Sequence, residues 1–133
     1  MELKTDKKII NKEQKEVFEF LEHPANFEEL MPSSIEKFEL VEKDQFNFQL
    51  SGMPEIRLKM ASMTQPDEII LTSASDKFEF DLIIHIGNVN GSKSEVQLLF
   101  TGNFNSMMAM MIKNPISKFI NKLVENLEMK YQA

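Results

Sequence analysis

Cysteine is absent from the 133 residues, glycine occurs only four times and arginine once, as Arg57. Without a thiol there can be no disulfide, no thiolate metal site and no cysteine nucleophile, and a reducing compartment is permitted. The formal net charge of −6 repels phosphate backbones, and one guanidinium leaves almost no bidentate reader of phosphate or guanine. Nucleic acid is therefore not an expected partner. Long apolar runs are missing too: none approaches the roughly 20 residues that span a bilayer. The amino-terminal stretch Met1-Glu2-Leu3-Lys4-Thr5-Asp6-Lys7-Lys8 lacks the apolar centre of a signal peptide. A cytoplasmic location without stable membrane insertion is expected.

Motifs for chemistry are equally scarce. His23 and His85 lie far apart, and no calcium-loop pattern of alternating carboxylates occurs. Ser33, Ser34, Ser73 and Ser75 sit in no nucleophile-elbow sequence, and the glycines stand singly, with no Gly-Lys-Ser/Thr run to cradle a phosphate. No metal, cofactor or catalytic residue is assigned.

What is present is a regular succession of elements that fits one domain over residues 1–133, long enough to bury about two thirds of its unfolded surface. A first strand is expected over Glu2 to Ile10. Asn11 and Gln14 then resemble a capping box for a helix carrying Val17, Phe18 and Leu21 on one side. Pro24 opens a shorter helix with Phe27, Leu30 and Met31 as its apolar members, closed by Pro32.

From Ile35 to Phe104 the period changes to alternation, the mark of strands wet on one face. Phe78, Phe80, Leu82, Ile84 and Ile86 share one face, while Glu79, Asp81 and His85 take the other. Phe46, Phe48 and Leu50 point inward against Asn47 and Gln49, as do Ile56, Leu58 and Met60 against Arg57 and Lys59, and Val96, Leu98 and Phe100 complete the set. Breaks fall at Asp44, Ser51-Gly52, Gln65-Pro66-Asp67, Ser75-Asp76-Lys77 and Asn88-Val89-Asn90-Gly91, all of turn-forming types. Six strands in a row follow. Their apolar face needs a cover, because each exposed Phe or Leu forfeits roughly 1.5–3 kcal/mol of burial. Ile112, Ile116, Phe119, Ile120, Leu123, Val124 and Leu127 supply it at helical spacing.

The stretch Lys12-Glu13-Gln14-Lys15-Glu16-Val17-Phe18-Glu19-Phe20-Leu21, followed by His23-Pro24-Ala25-Asn26-Phe27 and Leu30-Met31-Pro32, together with the amphipathic last helix, resembles the START and polyketide-cyclase superfamily, also called SRPBCC or Bet v 1-like. The order of elements carries the resemblance along the whole chain. It implies an α+β helix-grip fold: a curved antiparallel β-sheet of about seven strands, in the order β-α-α-β6-α, wrapped around a long C-terminal helix. It also implies a cavity between sheet and helix, used within the superfamily for lipids, sterols, hormones, polyketides or quinones. The glycine-rich loop of the plant branch is replaced here by Glu42-Lys43-Asp44-Gln45, so plant-type ligands are not expected.

The expected function is binding of a small apolar or amphipathic molecule, lipid-like, quinone-like or polyketide-like, in that cavity. Its expected lining is Phe27, Met31, Phe48, Met60, Ser62, Phe80, Leu82, Phe100, Met107, Met108, Met111, Phe119 and Leu123. Ser62, Thr64 and Gly102, and Ser73 on one of the two parities open to Ile69 to Ser75, are small or hydroxylated at inward positions, where they either leave space and anchor a polar group or mark strand ends relaxing toward water. The alternatives are a cyclase- or hydrolase-like enzyme on the same scaffold and a protein-interaction module with a filled core, monomeric or homodimeric, whose outward Ile83 and Leu99 mark a contact.

The run Asn105-Ser106-Met107-Met108-Ala109-Met110-Met111-Ile112-Lys113 precedes Asn114-Pro115. Proline would clash with the Met111 carbonyl inside a straight helix, so a fresh helix start at Asn114-Pro115 is expected, with the methionines in a separate or bent segment at one end of the dry space. Adaptable methionines there suit either a gate or a seam filler. His85 is expected on the surface by strand parity, His23 at a helix start and Arg57 outward; Glu28 and Glu29 are the carboxylates nearest a cavity mouth, and a solvated helix face is the expected place for them.

Overall fold

The computed structural model describes residues 1–74 and 79–132; the turn expected at Ser75-Asp76-Lys77 and the inward Phe78 lie outside them. Elements follow in the order β1 (Glu2–Lys4), β2 (Lys8–Ile10), α1 (Gln14–Leu21), a 3₁₀ turn (Pro24–Leu30), β3 (Ile35–Glu42), β4 (Gln45–Leu50), β5 (Ile56–Thr64), β6 (Glu68–Ser73), β7 (Phe80–Asn88), β8 (Ser94–Gly102) and α2 (Ser106–Lys130). The strands form one 8-stranded antiparallel sheet in the order β1-β8-β7-β6-β5-β4-β3, with β2 also on β8. With α2 laid against β1, β2, β8 and the 3₁₀ turn, this is a helix-grip fold.

The single first strand expected over Glu2 to Ile10 is two short ones. Lys4 pairs with Leu99 and Lys8 with Val96, so the first chain spends one residue more than its partner. Thr5 holds the irregularity: its amide donates to the Leu98 carbonyl at 3.0 Å and its hydroxyl accepts from the Leu98 amide at 3.1 Å, both buried. The shift changes which residues face the core. Leu3 lies opposite inward Phe100, but beyond the bulge it is Ile10, fully buried, that faces in, while Ile9 is exposed.

In α1, Val17, Phe18 and Leu21 form the buried face as expected. The capping box does not form. Glu13 takes the cap position without a side-chain bond, and Gln14 reaches across to donate to Asp67 Oδ1 (2.9 Å) and the Ile86 carbonyl (2.7 Å). The second short helix is a 3₁₀ turn, whose period of three brings Pro24, Phe27 and Leu30 onto one buried side.

Strand parity holds through the middle of the sheet. Phe46, Phe48, Leu50, Ile56, Leu58, Phe80, Leu82, Ile84, Ile86, Val96, Leu98 and Phe100 are all buried, and Asp81 and His85 are exposed. Asn47 faces outward yet is buried, because Arg57 lies over it and donates from Nε to its side-chain oxygen at 2.7 Å. Gly52 and Gly91 occupy the hairpin turns with φ of 80° and 85°, a conformation that costs residues with a Cβ.

The long helix is continuous, which corrects the expected restart at Asn114-Pro115. Asn105 is the cap, its side-chain oxygen accepting from the Met108 amide at 2.8 Å, and Pro115 lies within the helix. The Met111 carbonyl, deprived of its helical donor, sits on a residue 65% exposed, where water can replace the missing bond. At the other end Asn126 Nδ2 donates to the Leu30 carbonyl at 2.9 Å, and Lys130 Nζ reaches Glu29 at 2.9 Å. No helix among the described residues is long and apolar enough to cross a membrane.

Asn126 thus ties α2 to the end of the 3₁₀ turn. Asn126→Ala should lower stability by about 1 kcal/mol, read as a reduced urea midpoint with unchanged slope.

Candidate functional site

The space between sheet and helix is occupied by phenylalanine. Phe27 and Phe38 each stack on Phe46 with ring centroids 5.2 Å apart, and Phe48 stacks on Phe119 of α2 at 4.7 Å. A second group joins Phe80 to Phe100 at 4.8 Å and Phe100 to Phe104 at 6.1 Å. Met60, Leu82 and Leu123 are buried among these rings. Beside the second group is a gap of about 10 Å³, lined by Met53, Ile56, Phe80, Phe100, Phe104, Ile112 and Ile116. That is room for about one water, and an apolar lining leaves it dry. None of its lining side chains titrates, so the gap itself offers no general acid or base.

A larger opening lies at the sheet edge. An open groove of about 690 Å³ runs between the middle of α2 and two turns of the sheet edge, those at Pro32-Ser33-Ser34 and Leu50-Ser51. The two turns are held together by the Ser51 amide, which donates to the Ser34 carbonyl at 3.1 Å. Leu50 and Phe119 belong to the buried core and also line the groove, alongside Pro32 and Pro115. Ser33, Ser34, Ser51, Asn114, Ser117, Asn121, Lys118, Lys122 and Glu125 supply its polar rim. Groove and gap share no lining residue, although Pro115 and Ser117 of the groove are chain neighbours of Ile116 of the gap.

Of the residues expected to line a cavity, Phe80 and Phe100 face the gap and Phe119 faces the groove. Phe27, Phe48, Met60, Leu82 and Leu123 are packed core, and Met31 is half-buried at the end of the 3₁₀ turn. Ser62 does not face inward. Met60 pairs with Leu71 but Ser62 with Ile70, so a bulge at Ala61 reverses the parity and turns Ser62 to the outer, exposed face; Thr64 is exposed as well. The methionines are displaced from the interior too. Met107 (74%), Met110 (81%) and Met111 (65%) are exposed and only Met108 packs on the core, because a helix starting at Ser106 projects its first turns past the sheet. The three exposed ones neither fill the seam nor line a cavity, whereas Met108 does pack against the seam.

Gly102 leaves no space either. A Cβ there would stand 2.7 Å from the Phe104 ring, 2.8 Å from the Glu79 carbonyl and 2.9 Å from Phe80 Cβ. Its smallness admits Phe104. Ser73 accepts from the Phe80 amide at 3.2 Å, which fastens β6 to the start of β7.

Among the described residues the charged side chains stay outside the packed core. His85 Nδ1 lies 3.4 Å from Glu68 and His23 Nε2 lies 3.6 Å from Glu22, all partly or largely exposed. A hydrogen bond from Lys37 to Glu55, and one from Lys130 to Glu29, raise these lysines above the ordinary range, and neither lysine reaches the groove. No cluster of His, Asp or Glu among the described residues is arranged to hold a metal. Glu79 and Asp81 border a polar depression of about 600 Å³ with Thr72, Ser73 and Thr101.

The groove was not foreseen in the sequence. Two lysines at i and i+4 around Phe119 are visible there, but nothing local says that Ser33-Ser34 and Ser51 come to meet them.

Several solved structures share this architecture. The protein XoxI from Bacillus cereus superposes with a TM-score of 0.78 at 11% identity, covering 98% of this chain and 94% of that one. A protein from Chromobacterium violaceum gives 0.75 at 10% identity, covering 100% and 99%. A norcoclaurine synthase from Thalictrum, solved as a point mutant with a transition-state analogue, gives 0.75 at 7% identity, covering 98% and 94%. No family model and no curated protein matches the sequence. The chain has the Bet v 1-like, SRPBCC fold.

If Gly102 is small for contact rather than for volume, Gly102→Ala should cost about 1–3 kcal/mol and lower Tm. Gly87→Ala, whose Cβ would meet its neighbour at an ordinary 3.8 Å, should not.

Proposed function

We propose that the protein binds a small apolar or amphipathic molecule at the seam where the Leu50–Met53 turn meets the middle of α2. The observation that carries this reading is an open groove floored by two core side chains, Leu50 and Phe119. Its volume of about 690 Å³ lies within the range of roughly 300–1,000 Å³ common to small-molecule sites. An apolar skeleton, lipid-like, quinone-like or polyketide-like, lies along Leu50, Phe119, Pro32 and Pro115.

Native mass spectrometry of the purified protein, with analysis of an organic extract, should find a retained small molecule or uptake of added fatty acids, sterols or quinones. Ser51→Trp, placed in an exposed turn, should fill the groove and weaken uptake at least about tenfold without lowering Tm. A clean unliganded mass with no uptake, or full uptake by the tryptophan variant, would count against the reading.

A second reading has its own observation. Ile70, Ile83 and Leu99 pair in register across β6, β7 and β8, forming an apolar row, half-buried, on the outer face of the sheet. Such a row suits a contact between copies of the chain. Sedimentation should show a dimer for the native protein and a monomer for Ile83→Lys; a monomer in both disposes of this contact.

A further inference from the structure

We infer that the groove selects an amphiphile with a singly charged anionic head, a carboxylate in the simplest case, held by Lys118. This rests on the binding reading above and adds the head-group chemistry. The chain as a whole is acidic, with 21 Asp and Glu against 15 Lys and Arg, yet no acid occurs between Glu95 and Glu125. Lys113, Lys118 and Lys122 fall in that interval, and the last two are one helical turn apart on the groove side of α2.

The two lysines are not equivalent. Lys122 Nζ is 3.3 Å from Glu125, which also lines the groove. The Lys118 ammonium has no hydrogen-bond or ion partner among the described residues, and neither do the hydroxyls of Ser33, Ser34 and Ser51 on the facing turns. With Lys122 offset by Glu125, the groove holds one uncompensated positive charge. One negative charge on the ligand balances it. A second would meet Glu125, and a cationic head would meet Lys118, so dianionic and cationic amphiphiles are both disfavoured. The apolar floor of Leu50 and Phe119 takes the tail, and the serine hydroxyls can donate to the second oxygen of a carboxylate, a group that accepts at both.

Four probes with one tail and different heads test this: octanoate, octan-1-ol, octylamine and octyl phosphate, titrated into the ¹⁵N-labelled full chain and followed by amide shifts. Octanoate should shift the amides of Ser34, Ser51 and Lys118 and bind about tenfold more tightly than octan-1-ol. Raising the salt should weaken octanoate and leave octan-1-ol unweakened, since an exposed charge pair is screened and an apolar contact is not. Lys118→Gln should bring octanoate down to the level of octan-1-ol and leave octan-1-ol unchanged, while Lys130→Gln, away from the groove, should alter neither. Equal binding of octanoate and octan-1-ol at these amides, or tighter binding of octyl phosphate than octanoate, would overturn the single-anion head and leave apolar binding intact. If no probe moves the groove amides, the binding reading falls with it.

Discussion

Everything in this molecule turns on sealing one face of a curved sheet with one helix. The inward residues of β4 to β8 are almost all large and apolar, and α2 meets them with seven buried side chains from Ile112 to Leu127. At roughly 1.5–3 kcal/mol for each large side chain taken from water, this seam dominates the favourable side of folding. The Phe48–Phe119 stack is its centre, joining sheet to helix at 4.7 Å. Because it pins α2 in both position and rotation, it also decides what the rest of the helix does. The residues beyond Ile112 toward the amino end overhang the sheet, and the Pro115–Glu125 stretch faces the two turns of the sheet edge.

That seam leaves little interior. Phenylalanine is large and flat, and once Phe27, Phe38, Phe46, Phe48 and Phe119 stack in sequence the volume between sheet and helix is taken up by rings. With the centre filled, the ligand site proposed above lies at the margin of the fold. Here the margin is open where proline and turn residues keep the backbone from closing over Leu50 and Phe119, and it carries a charge opposite to that of the chain as a whole.

The ionisable groups follow from the same constraint. A carboxylate or imidazole on the inner face would be desolvated with no partner to compensate it, at a cost of several kcal/mol. Glu79, Asp81 and His85 therefore lie on the wet face, and Arg57, on the outer side, turns to Asn47. Such chemistry as the fold offers is confined to its rims.

The succession of elements, the wet and dry sides of β4, β7, β8 and of β5 as far as Met60, the buried face of α2 and the outward placement of Asp81, His85 and Arg57 were all determined by the sequence. The reason is that alternation and helical period are local properties, each set by neighbours two to four residues away. Three features were decided only in three dimensions. Bulges at Thr5–Lys7 and Ala61 depend on pairing with β8 and β6, and a one-residue slip reverses every later side chain, which is how Ser62 came to face water. The start of α2 at Ser106 rather than Asn114 depended on whether the Met111 carbonyl would be wet, a matter of what packs nearby. The closed interior and the open groove depend on how rings from distant segments stack and where two separate turns arrive, and volume between elements is a property that no single stretch of chain contains.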